Sequence, residues 1–359
     1  MEQTINSDEV VDATQTARAA GLYYVVEDSA GFKRRRAGKG FTYQFANGER
    51  VTDRPQVARI RSLAVPPAWT DVWISSNPRG HIQATGRDAR GRKQYRYHSE
   101  FRKNRDSAKF QHLLAFAEAL PRIRAQVTAD MALPELPREK VVATVVDLLE
   151  TTLIRVGNAD YARDNKSYGL TTLNNAHIKI KGTELRFRFT GKSGRAWRVN
   201  LKSRRVAKVL RVCQDLPGQQ LFQYEGVNGE IHNVTSTDVN DYLRAVSGLD
   251  ISAKDFRTWA GTVEAAWGLQ RAGVAASDAE AKRNLKTVLE TVAARLGNTV
   301  TICRKCYVHP QIIDCYLRGQ LTLASGAPTS DLKGGLMPEE AAVLPFLVRA
   351  VSIPTGAAA

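Results

Sequence analysis

From Leu22 onward, apolar positions come in short alternating runs punctuated by glycine, asparagine and proline. "LYYVVED" (22–28) reads as a strand, and "FTYQFANGERV" (41–51) carries Asn47-Gly48 between strand formers, a hairpin signal. "PQVARIRSLAV" (55–65) predicts a short helix that starts at Pro55 behind Thr52 or Asp53 and stops before Pro66-Pro67. "DVWISSN", "GHIQATGRD" and "KQYRYH" read as further strands. Near Ser99 the period changes. Val142, Val145, Leu149, Leu153 and Val156 fall at three- and four-residue steps, predicting a helix stopped by Gly157. A compact sheet is expected from "YGLTTL", "HIKIKG", "ELRFRFT" and "RAWRVNL", the last two joined by Gly191-Lys192-Ser193-Gly194. Beyond Ser203 the pattern is mostly helical to about Leu323, including "AEAKRNLKTVLETVAARLG" closed by Gly297.

The expected class is α+β: a small β-rich N-terminal domain plus a larger, mostly helical domain with a small embedded antiparallel sheet. Boundaries are placed at 1–20 (a flexible, polar tail), 21–100, 101–325 and 326–359, the last partly loose and ending in "SIPTGAAA". No repeat is visible. The length of 359 residues suits two ordinary domains, each with its own core. No apolar run has the length of a membrane span, and the first residues lack a signal peptide's apolar core. A soluble, cytoplasmic protein is expected.

Charge narrows the class of partner. Lys plus Arg number 52 against 36 Asp plus Glu, a formal net charge of +16. Arg79–Arg105 holds nine Lys/Arg and two acids; Asn175–Arg211 holds twelve and one, Glu184. One such patch is an ordinary solvated face, but two in different parts of the chain favour a phosphate-lined polyanion. Four cysteines make no disulfide framework in a chain of this size. Cys303 and Cys306, in "CRKCYVHP", have C-x-x-C spacing with His309 nearby, yet no second pair completes a zinc set. "GKS" at 191–193 lacks the glycine a nucleotide-binding P-loop needs five places earlier, where Arg186 stands, and reads as a hairpin tip.

Taken singly, the remaining basic residues look structural. Arg155 ends a helix, where a cation suits the helix dipole. Lys192 sits on a glycine-flanked turn, and Arg257 opens a helix in "KDFRTWAGT". Their order with Asn298 and Tyr307 changes that. "IRVGNADY", "SYGLTTLNNAHI", the "TGKSG" turn, "KDFRTWAGT" and "CRKCYVHP", with "PPAW" and "GHIQATGRDARGRKQYRYH" earlier, resemble a type IB DNA topoisomerase of the small poxvirus-like kind found in bacteria. The likeness covers roughly residues 20–325; its motifs are specific as a set and weak singly.

The resemblance implies Tyr307 as the nucleophile, with Arg155, Lys192, Arg257 and Asn298 around the scissile phosphate. Poxvirus enzymes carry histidine where this chain has Asn298, whereas bacterial relatives are similar to it. An amide donates a hydrogen bond but adds no charge, leaving the electrostatic work to two arginines. The resemblance also implies DNA contacts from Gln94, Tyr95 and Tyr97 on the major-groove side, and from Tyr161; Lys254 is expected to assist at the phosphate. Strand alternation puts Tyr95 and Tyr97 on one face and Arg96 on the other. It implies a monomer acting on double-stranded DNA, associated with the nucleoid, using neither cofactor nor metal.

The chemistry asks for these residue types. Attack on a phosphodiester gathers negative charge on its non-bridging oxygens, which forked guanidiniums stabilise. A phenol of ordinary pKa is only about one part in a thousand ionised at pH 7, so adjacent cations assist it. The departing deoxyribose 5′-oxygen needs a proton, and Lys192 is the candidate general acid. The two cysteines then serve as small apolar fillers beside the reactive tyrosine. A tyrosine recombinase shares the nucleophile and the arginines but normally shows an H-x-x-R box where this chain has "KDFR". A non-catalytic DNA-binding protein could use the same basic surface.

Overall fold

The computed structural model describes residues 7–352, apart from residues 28, 90, 227 and 325–334; the terminal stretches 1–6 and 353–359, read from sequence as loose, lie outside the described residues. The chain divides into two compact units, Met1–Phe110 and Gln111–Ala359.

The first unit begins with helix α1 (Ser7–Ala19). Its described residues were expected to be a frayed tail, but Ala17 is buried with Leu22 and Phe101, which gives the helix a docking face. Strands β1 (Gly31–Ala37) and β2 (Gly40–Gln44) form a hairpin, followed by α2 (Arg54–Ser62), β3 (Thr70–Ser75), β4 (Ile82–Arg87) and β5 (Lys93–Tyr97). The sheet order is β2-β1-β3-β4-β5, all antiparallel. Phe32, Tyr43, Val51, Ile60, Val72, Ile74 and Ala84 make its core. Asp53 caps α2 by accepting from the Gln56 N–H at 2.9 Å, with Pro55 in the first turn.

Two sequence expectations change here. "LYYVVED" is not a strand; only Tyr23 makes an isolated bridge, to Gly80. Its neighbours pack on His81 instead: Tyr24 stacks on the imidazole at 4.5 Å and the Val25 N–H donates to its Nδ1. The long hairpin turns at residues 38–39, while Asn47-Gly48 makes a smaller reversal closed by Phe45 N–H to the Glu49 carbonyl. Arg34, in the basic run "KRRR", is not a surface charge. Its guanidinium donates to the carbonyls of Val65, Pro66 and Trp69 and lies 4.2 Å from the Phe41 ring centroid, holding the "PPAW" loop.

Helix α3 (Ser99–Asp130) contains the division between the units. The second unit continues with α4 (Arg138–Thr152), α5 (Ala159–Asn165), strands β6 (Ile178–Lys181), β7 (Glu184–Thr190) and β8 (Ala196–Lys202), then α6 (Arg204–Asp215). The three strands form an antiparallel sheet in sequence order. Leu185, Phe187 and Phe189 alternate inward along β7, and α6 buries Val206, Val209, Leu210 and Cys213. "YGLTTL" does not join this sheet. Leu170–Thr172 is a 3-10 turn, because the N–H groups of Leu170 and Thr171 are spent on the carbonyls of Arg155 and Val156. A second hairpin, β9 (Gln223–Glu225) and β10 (Ile231–Asn233), interrupts the expected helical stretch. Helices α7 (Ser236–Ser247), α8 (Ala253–Ala272), α9 (Asp278–Leu296), α10 (Val300–Cys306), α11 (Pro310–Leu317) and α12 (Pro338–Ser352) complete the chain.

α12 is anchored by an ion cluster. Arg124 of α3 bridges Glu150 of α4 at 2.5 Å and Glu340 of α12 at 2.8 Å, and the Trp259 indole N–H of α8 donates to Glu340 at 3.0 Å. Removing Glu340 leaves Arg124 paired with Glu150 but takes away the bonds that tie α12 to Arg124 and to the Trp259 indole N–H. Glu340→Ala is therefore expected to cost about 1–3 kcal/mol in urea unfolding; an unchanged midpoint would show that the cluster does not hold α12.

Candidate active site

The site is assembled at the C-terminal end of α9. That helix stops in a left-handed Gly297 (φ +64°), with Asn298 N–H donating back to the Ala293 carbonyl and Gly297 N–H to Ala294. The last carbonyls of a helix lack intrahelical partners and carry partial negative charge. Three arginines take them up. Arg195, from the β7–β8 turn, donates to Ala294 at 2.9 Å; Arg257 of α8 donates to Leu296 at 2.5 Å; Arg155 donates to Gly297 at 3.3 Å.

Helix α4 ends earlier than its apolar period suggests, and that positions Arg155. Leu153, not Gly157, is the C-cap, in a left-handed conformation (φ +56°). Its side chain is buried and its carbonyl accepts a second bond from Arg257, so tertiary contacts hold a conformation that leucine alone disfavours. Residues 154–158 are then non-helical, and Arg155 reaches across to donate to the Asn298 side-chain oxygen as well. This bond orients the amide. The Asn298 Nδ2 is buried and, among the described residues, meets no acceptor.

Arg257 lies one turn into α8, behind the cap Ser252, and is only 3% exposed. Its guanidinium carbon is 5.2 Å from the centroid of the Tyr307 ring. Burial, and then the nearby charge of Arg155, push its pKa down to about 10, which leaves it charged at neutral pH. Arg155 is lowered too, chiefly by burial, with Arg195 adding repulsion. Tyr307 caps α10, its N–H bonded to the Cys303 carbonyl at 2.9 Å. Its backbone presses on Gly261, where a methyl group would stand 2.6 Å from the Tyr307 carbonyl oxygen. Thr262 accepts the His309 N–H two residues further on.

Of the residues singled out from sequence, Arg155, Arg257, Asn298 and Tyr307 come together. Lys192 stands on the exposed turn between β7 and β8, its ammonium 5.7 Å from the Tyr161 ring centroid. Tyr161 lies in α5, whose cap Asn158 accepts its N–H. Lys254 is exposed on the first turn of α8, three residues before the buried Arg257. Gln94, Tyr95 and Tyr97 belong to β5 of the first unit. There the tyrosine rings stack at 5.9 Å, Arg96 turns to the Ala64 carbonyl on the other face, and the Gln94 amide donates to Asp88. Sequence reading missed Arg195, Trp197, Gly261 and Thr262. The one available signal was Gly261 itself, a glycine inside a helical pattern, which normally marks close packing.

Cys303 is buried, and burial pushes its thiol up to about 11. His309 caps α11, its Nδ1 accepting from the Gln311 N–H. Among the described residues no three metal-ligating side chains gather.

Known sequences fit this arrangement. The profile of the eukaryotic DNA topoisomerase I catalytic core matches residues 98–319, and that of the bacterial DNA topoisomerase IB N-terminal domain matches residues 40–88. DNA topoisomerase 1B of Acanthamoeba polyphaga mimivirus is 31% identical over 294 residues, covering 80% of this chain and 87% of its own. DNA topoisomerase I of monkeypox virus and DNA topoisomerase 1B of vaccinia virus are each 22% identical over 271 residues, covering 73% of this chain and 82% of theirs. The chain is thus a DNA topoisomerase, an enzyme whose substrate is DNA. It belongs to the type IB family and carries the N-terminal domain of the bacterial branch.

The histidine beside the site makes stability depend on pH. Burial pushes His309 down to about 4, whereas an unfolded histidine titrates near 6.5. The unfolded chain takes up the proton first, so this contribution is intact above about pH 6.5 and is lost as pH falls toward 4. His309→Asn keeps a capping acceptor and removes the titration. Its urea midpoint is expected to fall less steeply than the parent's over that range; parallel curves would exclude His309 as a source of acid lability.

Proposed function

We propose that this topoisomerase relaxes supercoiled duplex DNA by cutting one strand transiently through a 3′-phosphotyrosyl intermediate and resealing it, with neither ATP nor a metal ion. The observation that carries this reading is the unpaired Asn298 Nδ2, held by Arg155 beside Arg257 and Tyr307. A buried donor with no acceptor is costly unless a ligand supplies one. A phosphate oxygen is the acceptor that two adjacent guanidiniums would also select.

In the cleavage step the Tyr307 oxygen bonds to phosphorus as the bond to the 5′-oxygen breaks. The phenolic proton passes to solvent, and Lys192 supplies a proton to the departing oxygen. Arg155, Arg257 and Asn298 stabilise the charge that builds on the non-bridging oxygens. One ester replaces another, so the reverse attack by the 5′-hydroxyl reseals the strand without an energy source. While the strand is open the duplex turns about its intact partner. Lys254, Tyr161, Gln94, Tyr95 and Tyr97 contact the DNA in this reading, Tyr95 and Tyr97 from one face of β5 and Lys254 at the phosphate. The enzyme works as a monomer on one duplex associated with the nucleoid.

Supercoiled plasmid in EDTA without ATP is expected to give a ladder of topoisomers. Strand exchange between marked sites would point to a recombinase, and retardation without topoisomers to a passive binder. Tyr307→Phe should bind DNA but leave no protein attached after denaturation; persistent attachment would reject that nucleophile. Asn298→Asp is nearly isosteric and can still accept from Arg155, but it presents oxygen rather than N–H to the phosphate. It should fold normally and cleave about 10²–10³-fold more slowly; a rate near the parent's would remove Asn298 from the phosphate site.

A further inference from the structure

Trp197 occupies an unusual place between two glycines. It pairs across the sheet with Phe189, the two rings parallel within 2° and 6.1 Å apart. At one end of its indole is Gly191, the residue before Lys192: a methyl group there would lie 2.7 Å from the ring's Cδ1 and Nε1. At the other end is Gly297, the residue before Asn298: a methyl group there would lie 2.6 Å from Cζ2. Gly297 is also required by its left-handed φ, but Gly191 is not. Its φ of −97° and ψ of −169° suit other residues, so contact with the indole is the reason the position has no side chain.

The turn is tied to the same helix end a second time. Arg195 donates to the Ala294 carbonyl at 2.9 Å, and the Arg195 carbonyl accepts from the Gly191 N–H at 2.8 Å, closing the turn. The β7–β8 turn thus meets α9 through one hydrogen bond and one ring. Lys192 itself is exposed and makes no bond to the arginines or to Asn298 among the described contacts. Whatever sets its distance from the phosphate site must act through the turn.

We infer that Trp197 is a positioning residue: its indole is the spacer that holds the Lys192 turn at a fixed offset from Asn298 and Arg155, and Gly191 and Gly297 are the two seats it requires. The inference rests on Lys192 being the proton donor to the 5′-oxygen. Misplacing a reacting group by about 1 Å can cost on the order of 10²-fold in rate, so the span of the indole between the two glycines matters to proton delivery.

A leaving group that needs no proton separates this role from simple stabilisation. Cleavage is measured under single-turnover conditions on a duplex with an ordinary 5′-oxygen at the scissile bond, and on one with a bridging 5′-sulfur, which departs as a thiolate. Lys192→Ala, Trp197→Ala and Gly191→Ala are compared with the parent on both. Trp197→Ala is expected to be slower by about 10²-fold on the oxygen substrate and to recover to within about threefold of the parent on sulfur. Gly191→Ala adds one methyl against the ring and should show the same pattern; it carries the test if Trp197→Ala does not fold. If Lys192→Ala recovers on sulfur but Trp197→Ala and Gly191→Ala stay equally slow on both substrates, or are unimpaired on oxygen, Trp197 does not position the turn. If Lys192→Ala itself does not recover, the general-acid reading fails, and this inference with it.

Discussion

The arrangement depends on how backbone carbonyls hold like charges together. Guanidiniums repel, and burying them raises the cost, yet Arg155, Arg195 and Arg257 all reach the last turn of one helix. What offsets the repulsion is the set of carbonyls where α9 ends: Leu296 and Gly297 offer theirs to Arg257 and Arg155, and Ala294 shares its oxygen between the Gly297 N–H and Arg195. A carboxylate would neutralise the arginines more strongly, but it would also cancel the field they present. Carbonyls fix the geometry and leave the net charge in place. Among the described residues, neither Arg155 nor Arg257 enters an ion pair with Asp or Glu.

Arg124 shows the contrast within the same unit. It is partly buried, as Arg155 is, but Glu150 and Glu340 pair with it. That is the pattern of a structural cation: charge satisfied, neighbours tied down, nothing left for a ligand. Burial therefore does not distinguish the two roles; the partner does. The family profile ends at residue 319, before α12, so Glu340 lies outside the matched core. Even so, it bonds to Trp259, two residues from Arg257 on α8. A segment outside the matched core steadies the helix on which Arg257 stands.

The sheet, α2 and the helix that carries Arg257 were legible because alternation, capping residues and proline act over a few neighbours. Arg155, Arg257, Asn298 and Tyr307, which lie together in the fold, are singled out by their order along the chain. Three features were not legible, each for a non-local reason. Leu153 is left-handed where its side chain is buried and Arg257, distant in sequence, bonds its carbonyl. "YGLTTL" is rich in strand formers, but its Leu170 and Thr171 N–H groups go to the carbonyls of Arg155 and Val156. Ser7–Ala19 reads as polar and loose until Leu22 and Phe101 give Ala17 a face to cover. In each case a tertiary partner overrides local preference, and no window of sequence contains that partner.

Charge stabilisation and proton delivery place opposite demands on a scaffold. Arginines that stabilise charge act through a field and do best when immobile, and Arg257, almost wholly buried with its head bonded to two carbonyls, has that immobility. A proton donor must touch the atom it serves, and needs a long side chain on a part of the fold that DNA can reach. A lysine on an exposed turn meets that need, but flexibility alone would scatter it. In the mechanism proposed for Lys192, joining the turn to the rigid helix end through the Trp197 ring would resolve the conflict. A ring has few internal degrees of freedom and transmits position without adding charge, so the acid can be placed without disturbing the field beside it.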